Sequence, residues 1–183
     1  MQSIYFIFVI FKIAQAKNFD IGLESLNCNF NSSICFDPIC FVKLIPFKNG
    51  LLNFGCNLKE PTSDLWFHFT LSYTINGLMK QNLIDVDDNV CHYFRGKIQS
   101  PVIADLLTAL YYADPRKLHP CPYSGQLRMT NLDLDMLTSH LPGIIPPGRY
   151  SLVFSVRNQN NFTIGNIKIK FQIQRSVECM ATT

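Results

Sequence analysis

The sequence predicts an all-β domain, an antiparallel β-sandwich carrying one short helix. Three observations lead there. Apolar and polar residues alternate with a period of two in several stretches, as in strands with one face on a core and the other in water. Those stretches are separated by turn dipeptides such as Asn76-Gly77 and Pro147-Gly148. The chain also holds seven cysteines behind an apolar leader, which suits an oxidising compartment and a disulfide-tied domain.

The chain opens MQSIYFIFVIFKIAQAKNFD. Ile4 to Phe11 form an unbroken apolar run, too short to cross a bilayer, which needs about 20 apolar residues. Ala14-Gln15-Ala16 is a small-x-small pattern, so a secretory signal peptide over 1–16, cleaved after Ala16, is expected. The remaining 17–183 are the size of one domain with a sizeable core. Loss of Lys12 lowers the formal charge from +3 to +2, too mild and too scattered to argue for nucleic acid as a partner. Apolar residues at 48% against 16% charged exclude a disordered chain. Cys28, Cys35, Cys40, Cys56, Cys91, Cys121 and Cys179 all survive cleavage, an odd number that leaves one thiol over. Asn31-Ser32-Ser33 and Asn161-Phe162-Thr163 make Asn31 and Asn161 candidate glycosylation acceptors, in keeping with secretion.

Leu52, Phe54, Cys56 and Leu58 share one face of a strand, which turns Cys56 inward as a buried free thiol. Over 65–75, Leu65, Phe67, Phe69, Leu71, Tyr73 and Ile75 face one way, and Trp66, His68, Thr70, Ser72 and Thr74 the other. Then the period changes. Ser100 can cap a helix, Pro101 suits its first position, and Ile103, Leu106, Leu107, Leu110 and Tyr111 follow at helical spacing until Asp114-Pro115 ends it. That helix of about 12 residues lies between Cys91 and Cys121. Alternation resumes at Leu132 and Leu134 between Asp133 and Asp135, continues through Leu152, Phe154 and Val156, and is cleanest over Ile167-Lys168-Ile169-Lys170-Phe171-Gln172-Ile173-Gln174.

The residues that carry chemistry elsewhere are not arranged for it here. His119 and Cys121 have no second pair at zinc spacing. Asp85-Val86-Asp87-Asp88-Asn89 begins like a calcium loop, but Val90 stands where its glycine belongs and Gly96 where its last carboxylate belongs; it reads as a solvated turn before a strand. Asp133 and Asp135 read as a wet strand face. No nucleophile elbow is present, and His68, His92, His119 and His140 are scattered. No catalytic residue, metal or cofactor is expected. Cys56, Trp66 and Cys91 imitate the order of an immunoglobulin domain, but the cysteines are only 35 positions apart and Asn89 stands in place of the corner tyrosine.

From Cys121 the sequence reads CPYSGQLRMTNLDLDMLTSHLPGIIPPGRYSLVFSV. This succession of a Cys-Pro-aromatic element, an alternating strand, a Leu-Pro loop and a Gly-x-Tyr strand resembles the ML lipid-recognition family. The upstream Cys91 in NVCHYF and the helix before Cys-Pro make it most like the ganglioside activator-like members and related insect ML-like secreted proteins. CFDPIC, residues 35–40, looks like the short cysteine loop of the sterol-carrying members. The resemblance implies an ML-type, immunoglobulin-like sandwich, with Cys28 paired to Cys179, Cys35 to Cys40, Cys91 to Cys121, and Cys56 free; the insect relatives instead suggest Cys28 with Cys40. It further implies a secreted or lysosomal protein, not an enzyme, that binds or transfers a glycolipid, fatty acid or sterol. Such a protein touches membranes transiently and presents its lipid to a hydrolase or receptor. The lipid-facing set would be the inward residues Phe67, Phe69, Leu71, Tyr73, Phe154, Val156, Ile169 and Phe171, with Ile103, Leu106, Leu107 and Leu110 near the mouth. Ile144 and Ile145, in a loop bounded by proline and glycine, either plug the end of the sandwich or mark a membrane portal. The alternative to the whole reading is an extracellular interaction module, chemosensory or adhesive, with a packed core and no cavity.

Overall fold

Residues that alternate along the sequence alternate across two stacked antiparallel sheets. A computed structural model describes residues 19–46, 50–75, 79–113, 118–134 and 146–175. The strands are β1 (Phe19–Phe30), β2 (Cys35–Lys43), β3 (Leu51–Leu58), β4 (Leu65–Ile75), β5 (Met79–Asn89), β6 (Gln126–Asp133), β7 (Gly148–Asn158) and β8 (Thr163–Arg175). A 3-10 turn, Val90–Arg95, and helix α1, Pro101–Ala113, fall between β5 and β6. One sheet runs β1-β8-β7-β4-β5 and the other β2-β3-β6. The fold is therefore the antiparallel β-sandwich expected, with α1 in a disulfide-closed insert.

Register stacks the apolar rows. Phe67, Phe69, Leu71 and Tyr73 of β4 lie opposite Val156, Phe154, Leu152 and Tyr150 of β7, and the last three lie in turn opposite Ile167, Ile169 and Phe171 of β8. Leu52, Phe54, Cys56 and Leu58 of β3, with Leu132 of β6, bury the facing side of the small sheet. Each fully buried aliphatic or aromatic side chain contributes about 1.5–3 kcal/mol, so these rows dominate the stability.

Three strands escape period-two reading. β1 carries a bulge between Leu23 and Ser25, and β2 one between Phe36 and Ile39, where Asp37 adopts φ 50° ahead of Pro38. β5 is an edge strand whose polar residues occupy most positions. Asp85 to Asn89 are thus the end of β5 rather than a solvated turn, and Asp88 is 5% exposed.

Of the two alternatives that the resemblance implies for Cys28, the structure has the insect-like one: Cys28 is joined to Cys40, not to Cys179. Cys35 is joined to Cys56, a pairing neither alternative implies, so Cys56 is not a free thiol and Cys35 does not close onto Cys40. The cause is register. Cys28 lies in the row of Ile167 and Cys40 in the row of Phe54, both directed between the sheets, which brings their Cα atoms to 6.0 Å. Cys35 lies opposite Leu58, two residues along β3 from Cys56, so the two are diagonal neighbours on one face. Cys91 is joined to Cys121. The expected signal segment 1–16, Ile144, Ile145 and Cys179 lie outside the described residues.

Candidate apolar ligand site

The insert is held before it can contribute to a site. Asp88, at the end of β5, accepts three backbone N–H bonds: from Asn89 at 2.8 Å, Gln99 at 2.7 Å and Ser100 at 2.8 Å. Ser100 then caps α1, its Oγ accepting from the Ile103 N–H at 3.3 Å. Tyr93 and Thr108 share a hydroxyl–hydroxyl bond at 2.9 Å, and the Cys91–Cys121 bridge returns the chain to the sandwich. Ile103, Leu106, Leu107 and Leu110 consequently face the core, each at most 8% exposed.

Between the sheets, toward the β6 side, lies a slot with a void of about 60 Å³. One wall is Phe54 and Gly55 of β3 with Leu127, Arg128, Met129 and Leu132 of β6. The other is Phe67 of β4, Phe154 and Val156 of β7, and Ile164, Gly165 and Ile167 of β8; Phe30 and Leu110 complete it. Arg128 is the one charged residue in this lining, and its guanidinium is held by exposed Asp37, with Nη2 donating to the Asp37 carboxylate and to its carbonyl oxygen. Two glycines shape the walls. A Cβ on Gly165 would stand 2.5 Å from the Phe30 ring, and one on Gly55 (φ +135°) would stand 2.3 Å from the Leu127 carbonyl oxygen. Their bareness lets the ring of Phe30 and the backbone of β6 close on the slot.

Of the twelve residues nominated from sequence, Phe67, Leu110, Phe154 and Val156 line the slot. Phe69, Leu71, Tyr73, Ile103, Leu106, Leu107, Ile169 and Phe171 are not in its lining; they pack in the core beside it. There Phe69 meets Phe154 edge to face at 5.1 Å, and Tyr150 stacks on Phe171 at 5.5 Å. Burial, with a smaller contribution from Tyr73, pushes the Tyr150 pKa up to about 12, and its hydroxyl donates to the Pro146 carbonyl. Sequence reading missed Phe30, Leu127, Met129 and Ile164. The alternation of Leu127 with Met129 was the available signal, hidden by starting that strand at Leu132.

His68, Asp85 and Thr70 are not arranged as a catalytic relay. His68 Nε2 is 2.6 Å from Asp85 Oδ1, and the same nitrogen is the one 3.5 Å from Thr70 Oγ1, whereas a relay needs the two ring nitrogens to serve opposite partners. Among the described residues no group of three or more His, Cys, Asp or Glu side chains is placed to hold a metal, and no helix is long and apolar enough to cross a membrane.

Fold and site thus define an antiparallel sandwich with an apolar slot between unequal sheets. No protein-family model matches the chain, and no curated protein does. Among solved structures it is similar to the crystal structure of chicken MD-1 complexed with lipid IVa, at 12% identity and a TM-score of 0.35, over 90% of this chain and 96% of that one. An overlay that loose carries no argument about the ligand of this protein.

Proposed function

We propose that the protein binds a lipid, an acyl chain or the flank of a sterol, between its two sheets, and carries or presents it outside the cell or in the lysosome without acting as an enzyme. The observation that carries this reading is the slot: apolar side chains from both sheets and from α1 converge on a space that neither sheet fills. The resemblance of 121–156 to ML proteins supports the same reading, and three disulfides suit a compartment outside the cytosol.

The size of the slot sets the mechanism. A dry cavity of about 150 Å³ takes benzene, so 60 Å³ admits only the end of a chain. Fuller entry requires the sheets to part. Cys28–Cys40 fastens β1 to β2 beside Phe30 and Phe54, whereas β6, which carries Leu127, Arg128, Met129 and Leu132 of the lining, is the far edge of the small sheet, so parting would swing β6 outward. Burial of about 12 methylenes at 0.8 kcal/mol each offers roughly 10 kcal/mol gross to drive it, before ordering costs.

The small void also favours a second reading, an extracellular interaction module whose sandwich is simply packed. Native mass spectrometry for co-purifying lipid, with saturable binding of a fluorescent fatty acid and a sterol analogue, separates the two. Met129→Trp, which fills the slot, is expected to weaken binding at unchanged circular dichroism. No binding of any lipid class by the folded protein would leave the packed module standing.

A further inference from the structure

The outer face of the five-stranded sheet carries a basic cluster that the slot does not use. Across β5, β4, β7 and β8 one row reads Asn82, Ser72, Ser151 and Lys170. In the row to one side Lys80 stands opposite Thr74, and in the row to the other Lys168 stands opposite Val153. The line from Lys80 to Lys168 therefore crosses the Ser72–Ser151 pair, with Lys170 beside Ser151. Among the described residues none of these lysines is in an ion pair; of the nearby carboxylates, Asp85 is held by His68 and Asn82, and Glu24, in the β1 bulge beside Lys170, is held by Arg149. The charge of Lys80, then partial burial, then the charge of Lys170 lower the pKa of Lys168 from the usual lysine value.

A second observation is independent of the charges. Ser151 is 4% exposed, and its hydroxyl has no hydrogen-bond partner, whereas Ser72 Oγ donates to Asn82 Oδ1 at 2.9 Å. Buried hydroxyls without partners are rare, and so are like charges gathered without a counter-charge. An ordinary solvated lysine face accounts for neither. One occupant relieves both: an anion with several acceptor oxygens, able to take the hydroxyl proton and two or three ammonium groups together.

We propose that Lys80, Lys168, Lys170 and Ser151 form a binding site for a phosphate-type oxyanion, on the face of the β4–β7–β8 sheet opposite the slot. Free phosphate and a phospholipid headgroup share this chemistry. The proposal is independent of whether the slot takes lipid.

The test is titration of the folded protein with inorganic phosphate against sodium chloride at matched ionic strength, which removes general screening. A parallel arm uses co-sedimentation with phosphatidylcholine vesicles with and without phosphatidic acid. Saturable phosphate binding identifies a free-anion site, and retention by phosphatidic acid vesicles alone identifies a headgroup site; either supports the proposal. Lys80→Gln and Lys168→Gln are each expected to weaken binding about tenfold, and Ser151→Ala about fivefold, with circular dichroism unchanged. The pKa of Lys168, followed by NMR, should rise when the anion binds. Binding of neither ligand, or equal binding by the Lys80→Gln/Lys168→Gln double variant, overturns it.

Discussion

Replacing both ends of the insert's bridge, Cys91→Ala with Cys121→Ala, removes one constraint and leaves the hydrogen bonds of Asp88 in place. The bridge spans 30 residues. Loop-closure entropy for a loop of that length, about 12 cal/mol/K, corresponds to about 3.6 kcal/mol at 25 °C. For a domain of this size each kcal/mol shifts the melting midpoint by about 2–4 °C, so a fall of roughly 7–15 °C is expected. Urea denaturation of parent and variant is the assay. The slope of stability against urea should also rise, since an uncrosslinked denatured chain exposes more surface. A loss under about 1 kcal/mol would refute the reasoning, because the insert would then be held by packing and by Asp88, with the bridge constraining neither state. An unchanged slope beside a full-sized loss would place the effect in the native state instead.

Asp88→Ala leaves three backbone donors without their carboxylate and should cost about 3 kcal/mol or more, measured by urea denaturation, with faster amide exchange at Gln99 and Ser100. Phe154→Ala should cost about 3–5 kcal/mol and enlarge the slot toward benzene-binding size; benzene-saturated buffer should then raise the melting midpoint of the variant and not of the parent. Tyr150 predicts a pH dependence. Its hydroxyl titrates near 10.0 when exposed and at about 12 in the fold, so its contribution is fully present below pH 10 and lost as pH rises from 10 to 12. Absorbance at 295 nm should show the tyrosine ionising late in the folded protein, and the Tyr150→Phe variant should lose less stability over that window.

Alternation was legible where a strand has one wet face and no irregularity: Leu65–Ile75, the β7 apolar positions and Ile167–Gln174 announce themselves. α1 was equally plain, because Ser100-Pro101 and the leucine spacing belong to a helix alone. β1 and β2 were hidden by bulges that shift the period by one residue, and β5 because an edge strand with Lys80, Asp85 and Asp87 has little apolar pattern to show. The role of Asp88 was unreadable for a related reason. It rests on backbone N–H groups of Gln99 and Ser100, which no side-chain pattern reports. Cysteine pairing depends on which rows face each other across two sheets, and Cys56 was correctly turned inward yet wrongly left alone because its neighbour Cys35 reaches it only diagonally. The slot was half legible: inward residues can be named from alternation, but which of them fill space and which border it depends on where Gly55 and Gly165 withhold a side chain.

The irregular edges have a bearing on how the molecule behaves in company. Each sheet exposes two outer strands: β1 and β5, and β2 and β6. β1 and β2 are kinked by bulges, the pairing of β6 shifts register where Asn131 turns to φ 56°, and β5 displays Lys80, Asp85 and Asp87. A second copy, or a fibril seed, needs a straight ladder of free backbone groups to zip onto, and a kink or a charge every few residues interrupts it. Growth by strand addition is therefore disfavoured at all four described sheet edges, even at high local concentration.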